Sequence, residues 1–361
     1  MHTPKSTHFF LGANAPSGFY SLYDHLIDHA TDKTLHIIKG GAGCGKSSFM
    51  KRIADTLLAK GLDVEHIHCS ADPDSLDAIY IPALKVAYVD GTAPHVIEPV
   101  YPAVMEEYLN LGEFYDAAAL KEQKAEVMAQ TNLYKSLYQR AYHCITAAGD
   151  VMQDVSTHLI DDTVIEAVKR RTRGIISREI GKKKQGVAKT SRRFLSALTH
   201  QGHVTRFDTV ASLADRVYHL DNTLGLAHFM LEDLATAARN AGLDHILCPA
   251  PMRPDQLEHL IIPSLGLAFL SSTHQIQYED DSYRHIRLDA MVDTKRLKSQ
   301  KTRLRFAKKV SALLLEEAIR TLTDAKHIHD KLEGIYNPYV DFDGVYDLAE
   351  EHLGRLCAEI E

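Results

Sequence analysis

The sequence predicts an α/β fold made of two related three-layer units, each with a mainly parallel sheet and a helical-hairpin insertion, the second unit degenerate. Three observations predict it. A glycine-rich loop stands between a strand-like and a helix-like segment at Gly40–Ser47. Short apolar runs bounded by turn residues recur on both sides of that loop. The first half of the chain then returns, altered, in the second half.

Taken in order, Phe9-Phe10-Leu11 reads as a strand, Gly12 to Gly18 as a turn-rich connection and Phe19 to His29 as an amphipathic helix. Thr34-Leu35-His36-Ile37-Ile38 is a short apolar run suited to a buried parallel strand. Ser47 to Lys60 follows as a helix with Phe49, Met50, Ile53, Leu57 and Leu58 on one face. Leu62 to Cys69 is a second strand. Asp72-Pro73-Asp74 is expected to open a short helix, with proline in the first turn and acids at the positive end of the dipole. Leu84 to Val89 is a third strand that ends at Asp90.

The composition then shifts. No proline occurs between Pro102 and Pro249, and no glycine between Gly112 and Gly149. Leu120, Val127, Tyr134, Ala141 and Ala148 recur at heptad spacing, which predicts one apolar stripe on a long helix. Val155, Leu159, Ile160, Val164, Ile165 and Val168 predict an antiparallel partner, so 103–180 is expected to be a helical hairpin inserted after the third strand.

The repeat is explicit. Phe49-Met50, Cys69, Pro73-Asp74, Leu76, Ile81-Pro82, Leu84 and Ala87 come back as Phe229-Met230, Cys248, Pro254-Asp255, Leu257, Ile262-Pro263, Leu265 and Ala268. The offset is 229 − 49 = 180 at one pair and 263 − 82 = 181 at another. Phe10-Leu11, Ala13 and Gly18 likewise match Phe194-Leu195, Ala197 and Gly202, and Leu120-Lys121 matches Leu297-Lys298. The expected organisation is a first unit over 1–180, a basic linker over 181–191 and a second unit over 192–361.

The candidate chemistry lies in the first copy. Gly40-Gly41-Ala42-Gly43-Cys44-Gly45-Lys46-Ser47 fits G-x-x-x-x-G-K-S at every fixed position. Glycines let backbone N–H groups converge at a helix N-terminus, a concavity that suits a triphosphate. The nucleotide-binding set is therefore Gly40, Gly41, Ala42, Gly43, Cys44, Gly45, Lys46, Ser47 and Ser48. Lys46 is expected to reach the β- and γ-phosphates, and the Ser47 hydroxyl to ligate Mg²⁺. Asp90, at a strand end, is the candidate Mg²⁺ partner, acting through water. His95, just past that strand, is a candidate base or phosphate contact, and Asp72 a candidate metal or acceptor contact. In the second copy Thr223-Leu224-Gly225-Leu226-Ala227 stands opposite Gly43–Ser47, and Ser271 opposite Asp90. Lysine, hydroxyl and carboxylate are lost together, so the second copy is expected to bind no Mg-nucleotide. Asp74 and Pro82 have counterparts there and read as structural.

Composition narrows the partners. A formal charge of −7 gives no reason to expect non-specific nucleic-acid binding. Lys169-Arg170-Arg171-Thr172-Arg173 and Lys182-Lys183-Lys184 read as a solvated helix end and a linker rather than a phosphate lid. No apolar run is long enough for a membrane span, and Met1–His8 lacks a signal-peptide core. Five irregularly spaced cysteines fit reduced thiols and a cytoplasmic location. His66-Ile67-His68-Cys69 has metal-like residue types, but on a buried strand it reads as packing.

On these residues the chain resembles P-loop (Walker A) NTPases. With His8–Ala13, Pro16, Gly18-Phe19, His68-Cys69-Ser70, Asp72–Asp77 and Val89–His95, it more closely resembles an uncharacterised bacterial family of duplicated P-loop ATPases. The resemblance implies ATP binding and hydrolysis and supplies no second substrate. Some relatives keep a recognisable P-loop in the second half, and this chain does not. The expected function is an ATP-binding, Mg-dependent ATPase with one active site. A kinase passing the γ-phosphate to an acceptor, and a non-catalytic nucleotide-gated interaction protein, remain the alternatives. No Asn-Lys-x-Asp motif supports guanine, and no Leu-Ser-Gly-Gly-Gln signature supports a transporter-type ATPase.

Overall fold

The computed structural model describes residues 3–181, 186–273 and 275–360. Lys182-Lys183-Lys184 and His274 lie outside the described residues. The first sheet has the order β1 (Ser6–Phe10), β5 (Val64–His68), β6 (Leu76–Ile81), β7 (Val86–Asp90), β4 (Thr34–Lys39), β8 (Glu106–Asn110). β6 runs against β5 and β7, while the other pairings are parallel. The second sheet has the order β9 (Thr190–Arg192), β13 (His245–Ala250), β14 (Arg253–Ile262), β15 (Leu267–Ser272), β12 (Arg216–Asp221), β16 (Arg284–Ile286). Strand for strand, its order and senses repeat the first. The duplication in the sequence is therefore a duplication of fold, and both sheets are mixed.

The two copies meet at equivalent residues. Phe10 N–H donates to Phe194 O and Phe194 N–H to Phe10 O, both at 2.9 Å. Because Phe10 and Phe194 correspond in the repeat, this reciprocal pair marks a local two-fold, as in an isologous dimer contact. Beside it pack two equivalent hairpins, β2 (Gly12–Ala15) with β3 (Gly18–Ser21), and β10 (Ser196–Thr199) with β11 (Gly202–Thr205). The core here joins Phe9, Phe10, Leu22, Ile37 and Ile67 to Phe194, Leu195, Val210, Cys248 and Leu270.

The helices are α1 (Lys46–Ala59), α2 (Ala117–Leu120), α3 (Lys124–Leu159), α4 (Asp162–Glu179), α5 (Phe207–Leu213), α6 (Ala227–Asn240), α7 (Thr294–Tyr336) and α8 (Phe342–Ala358). The last helix of each half completes the other half. α4 places Val164, Val168 and Ile175 in the core of Met230, Leu234 and Phe269. α8 places Val345, Ala349, Leu353 and Leu356 against Phe49, Ile53 and Tyr88. Each such fully buried side chain contributes roughly 1.5–3 kcal/mol, so the outer layer of each half, its own α1 or α6, is stabilised by the other half's helix. α3 and α7 pack along one seam, with Ala141, Ile145 and Ala148 against Leu315, Ala318 and Leu322.

Several expectations are corrected. Phe19–His29 is not one helix. Gly18 at φ +101° closes a tight turn, the aromatic Phe19 and Tyr20 continue as β3, and only Tyr23–His25 is helical, as a single 3₁₀ turn. Asp72-Pro73-Asp74 opens no helix. The Asp72 carboxylate accepts from Ser75 Oγ at 2.9 Å and from Asp74 N–H at 3.3 Å, a side-chain-closed turn that feeds β6. Asp74 is then no first-turn acid, and it accepts from Gln201 Nε2 at 2.9 Å. The insertion begins with β8, which pairs with β4, so 103–180 is not purely a helical hairpin. The partner of the heptad-patterned α3 is α7 from the other half, not the segment that follows it. Heptad spacing shows that a stripe will be covered but does not say by which helix.

Candidate functional site

β4 ends at Lys39, and the loop after it carries two left-handed residues, Gly43 at φ +68° and Gly45 at φ +87°. Space demands glycine as well. A Cβ on Gly43 would collide with the Asn337 side-chain amide and stand 3.2 Å from the Glu333 backbone, and one on Gly40 would stand 2.5 Å from Cys44 Sγ. No side chain caps α1. The N–H groups of Gly43 and Gly45 meet no hydrogen-bond acceptor among the described residues, while the Lys46 N–H turns to the Cys44 sulfur. Unpaired N–H groups at a helix N-terminus attract an anion.

Parallel pairing of β4 with β7, with Ile38 opposite Asp90, brings the Asp90 carboxylate beside the loop. Lys46 Nζ lies 3.6 Å from Asp90 Oδ2 and donates to Gly41 O at 2.7 Å and Gly40 O at 3.1 Å. The lysine thus folds back over its own loop, a cation held by carbonyl dipoles and one carboxylate. Asp90 Oδ1 accepts from Thr92 N–H at 2.9 Å and Thr92 Oγ1 at 2.6 Å, which fixes the carboxylate's plane. Ser47 Oγ accepts from Leu76 N–H at 2.9 Å. Lys46 and Asp90 therefore come together, with the Ser47 hydroxyl tied to the start of β6. Ser48 is exposed at the start of α1. Cys44 is buried, and burial raises its thiol pKa against the pull of Lys46, so this thiol is packing and poorly reactive even without a ligand.

His95 has a different setting. It is buried, with Nε2 3.4 Å from Asp77 Oδ2, and the same oxygen accepts from Tyr23 Oη at 2.7 Å. Burial works to lower the histidine pKa, but the Asp77 charge and hydrogen bond outweigh it and the net shift is upward. Burial likewise opposes ionisation of Asp77, yet His95 and Tyr23 hold its pKa below the ordinary range. An imidazole that keeps its proton acts here as a buried counter-ion. Asp72 is taken up by Ser75 and by Lys326 Nζ at 3.2 Å. His68 bonds to His8 at 2.9 Å and to Pro73 O at 2.8 Å, in keeping with packing. The basic run 169–173 lies on α4, against α6 of the second copy, away from the loop.

The residues that the sequence did not announce come from far along the chain. Tyr115 Oη donates to Ala42 O at 3.1 Å. The C-terminal end of α7 lies across the loop. With its amide nitrogen turned inward, Asn337 donates to Gly43 O at 3.0 Å and Glu333 O at 3.1 Å. Tyr336 and Tyr115 rings meet at 5.4 Å. Burial lowers the His329 pKa, with help from the Lys326 and Lys46 cations against the pull of Glu333. The Asn337-Pro338 pair signals a helix end. Nothing local says that this end lands on residue 43.

In the second copy the corresponding loop is filled by protein. Asp289 accepts from Thr223 N–H at 3.1 Å and Leu224 N–H at 3.2 Å, and Asn222 Oδ1 accepts from Ala227 N–H at 2.8 Å. Leu224 and Leu226 are buried. A carboxylate of the chain itself sits on the amides that an anion would use.

Among the described residues no helix is long and apolar enough to cross a membrane. The chain matches no family model, no curated protein and no solved structure.

Proposed function

We propose that this chain binds ATP with Mg²⁺ at Gly40–Ser48 and hydrolyses it, with one site per chain. One observation carries the reading: an unplugged glycine loop holds Lys46 beside Asp90 at the carboxyl ends of two neighbouring parallel strands, where ligands of open α/β sheets bind. The residues fit the ligand. The N–H groups of Gly43 and Gly45 would receive phosphate oxygens, and Lys46 Nζ would turn from the carbonyls of Gly40 and Gly41 to the outer phosphates. Ser47 and Asp90 would hold Mg²⁺, which when bound offsets the charge that develops in phosphoryl transfer. Tyr115 and Asn337 hold the loop's shape from outside, so the site draws on both halves. The five free cysteines suit a reducing, cytoplasmic setting.

The test is phosphate release from ATP-Mg²⁺ by the purified chain, with Lys46→Ala as the blank. Steady release above the blank supports an ATPase. Binding without release until an acceptor is added would replace it with a phosphotransferase. Unchanged ATP affinity in Lys46→Ala would overturn the site itself.

A further inference from the structure

The second copy has lost the lysine, hydroxyl and carboxylate of the first, but it carries a different set of groups at the same sheet edge. His219 and Asp221 lie two residues apart on β12, so both side chains leave the same face of the strand. His285 on β16 pairs directly with His219 in parallel register. The two imidazoles stack at 4.4 Å with planes 8° apart, and His285 Nε2 stands 2.6 Å from Asp221 Oδ1. One ligand atom from each of the three residues lies within 4.8 Å of the others. At the matching positions of the first copy stand Ile37, Lys39 and Tyr108, and Lys39 Nζ is spent on Gly91 O and Ile97 O, both at 2.9 Å.

We propose that His219, Asp221 and His285 form a binding site for a divalent transition metal, zinc by preference. Two imidazoles and one carboxylate are borderline-soft and hard donors in the ratio that Zn²⁺ accepts, and that Mg²⁺ and Ca²⁺ do not favour. Around a tetrahedral zinc, ligand atoms sit roughly 3.3 Å apart, so three atoms already inside 4.8 Å need only a small closure. His285 is 41% exposed, which gives it room to move and leaves a coordination position open to water. His219 already has a supporting partner. Its Nε2 meets Ser272 Oγ at 2.7 Å, while that same hydroxyl oxygen accepts from Tyr278 N–H at 2.9 Å. A hydroxyl held in this way orients the ring and leaves its other nitrogen for a metal, as outer-sphere partners of ligating histidines do. The site is independent of the nucleotide reading, since it uses no residue of the first loop.

The test uses the full-length chain stripped with EDTA and titrated with ZnCl₂ against a chromophoric competitor. One tight equivalent is expected, together with a raised unfolding temperature in zinc. His285→Ala removes an exposed edge-strand side chain and Asp221→Asn keeps the carboxamide's size, so both should fold, as far-UV circular dichroism would verify. Each should weaken zinc binding at least ten-fold and abolish the thermal shift. Ser272→Ala should weaken it by about 10-fold through the lost support. Zinc uptake unchanged in His285→Ala, no uptake at micromolar zinc, or loss of the equivalent in His329→Ala, which removes a second cluster of His329, Asp330 and Glu333 on α7, would each overturn the proposal.

Discussion

The loop after β4 and the loop after β12 occupy the same place in two copies of one sheet, and different things fill them. In the first, Gly43 and Gly45 offer N–H groups that no described residue accepts. In the second, Asp289 accepts from Thr223 and Leu224, Asn222 accepts from Ala227 N–H, and two buried leucines close the turn. Strand order, strand sense and the exchange of terminal helices are the same in both. The fold is thus held by distributed apolar burial, which tolerates divergence, while anion chemistry depends on a few polar groups that can vanish without disturbing it.

The strongest way to break this contrast is Lys46→Ala. If the first loop is the chain's nucleotide site, losing the cation that faces the phosphates should weaken ATP binding by roughly 10–100-fold and abolish phosphate release. Its unfolding midpoint in urea should hardly move, because Lys46 spans the loop without entering the core. A comparable loss of stability would mean that the lysine is a structural clamp and would remove the contrast.

The converse change is Asp289→Ala. Unplugging the second loop strands the N–H groups of Thr223 and Leu224, at a cost of about 1–3 kcal/mol in urea unfolding. It should create no nucleotide site, since neither lysine nor hydroxyl is there to use the vacated amides. Built on Lys46→Ala, the double variant isolates the second loop. ATP binding regained there would show that the plug, and not the missing residues, silences the second copy.

A third comparison concerns pH. His95 is held above its ordinary value near 6.5 by Asp77, so the folded protein keeps a proton that the unfolded chain releases. That contribution is complete below about pH 6.5 and fades as pH rises through the folded value. Wild type should therefore exceed His95→Gln in stability most at about pH 6, with the gap shrinking toward about pH 9. A gap constant across that range would mean that the histidine acts by packing alone. ATP turnover tracking the same titration would instead place His95 in the chemistry.

These contrasts show what could be read without coordinates. The glycine loop, the repeat, the lost lysine and the placement of Asp90 were legible, because each depends on local spacing or on self-comparison. β6 was hidden because Asp72-Pro73-Asp74 also matches a helix start, and only the side-chain-closed turn at Asp72 decides between them. The α3–α7 seam was misassigned because an apolar stripe does not name its partner. Tyr115, Asn337 and Asp289 act across 73, 294 and 66 residues of chain, and no spacing rule reaches that far.

The smallest effects concern how α7 serves the first loop. Asn337 touches it through one hydrogen bond to Gly43 O, whereas Lys326 reaches Asp72 through an ion pair whose side chains are 21% and 22% exposed. If contact matters, Asn337→Ala should cost about 1 kcal/mol of loop order and weaken ATP binding about five-fold, read by isothermal titration. Solvent still reaches both side chains of the pair, so Lys326→Ala should change stability by about 1 kcal/mol and leave affinity nearly unchanged. A larger loss of affinity in Lys326→Ala than in Asn337→Ala would reverse the order. It would mean that the second half contributes charge to the phosphates rather than shape to the loop, and that the degenerate copy still takes part in the chemistry it no longer performs alone.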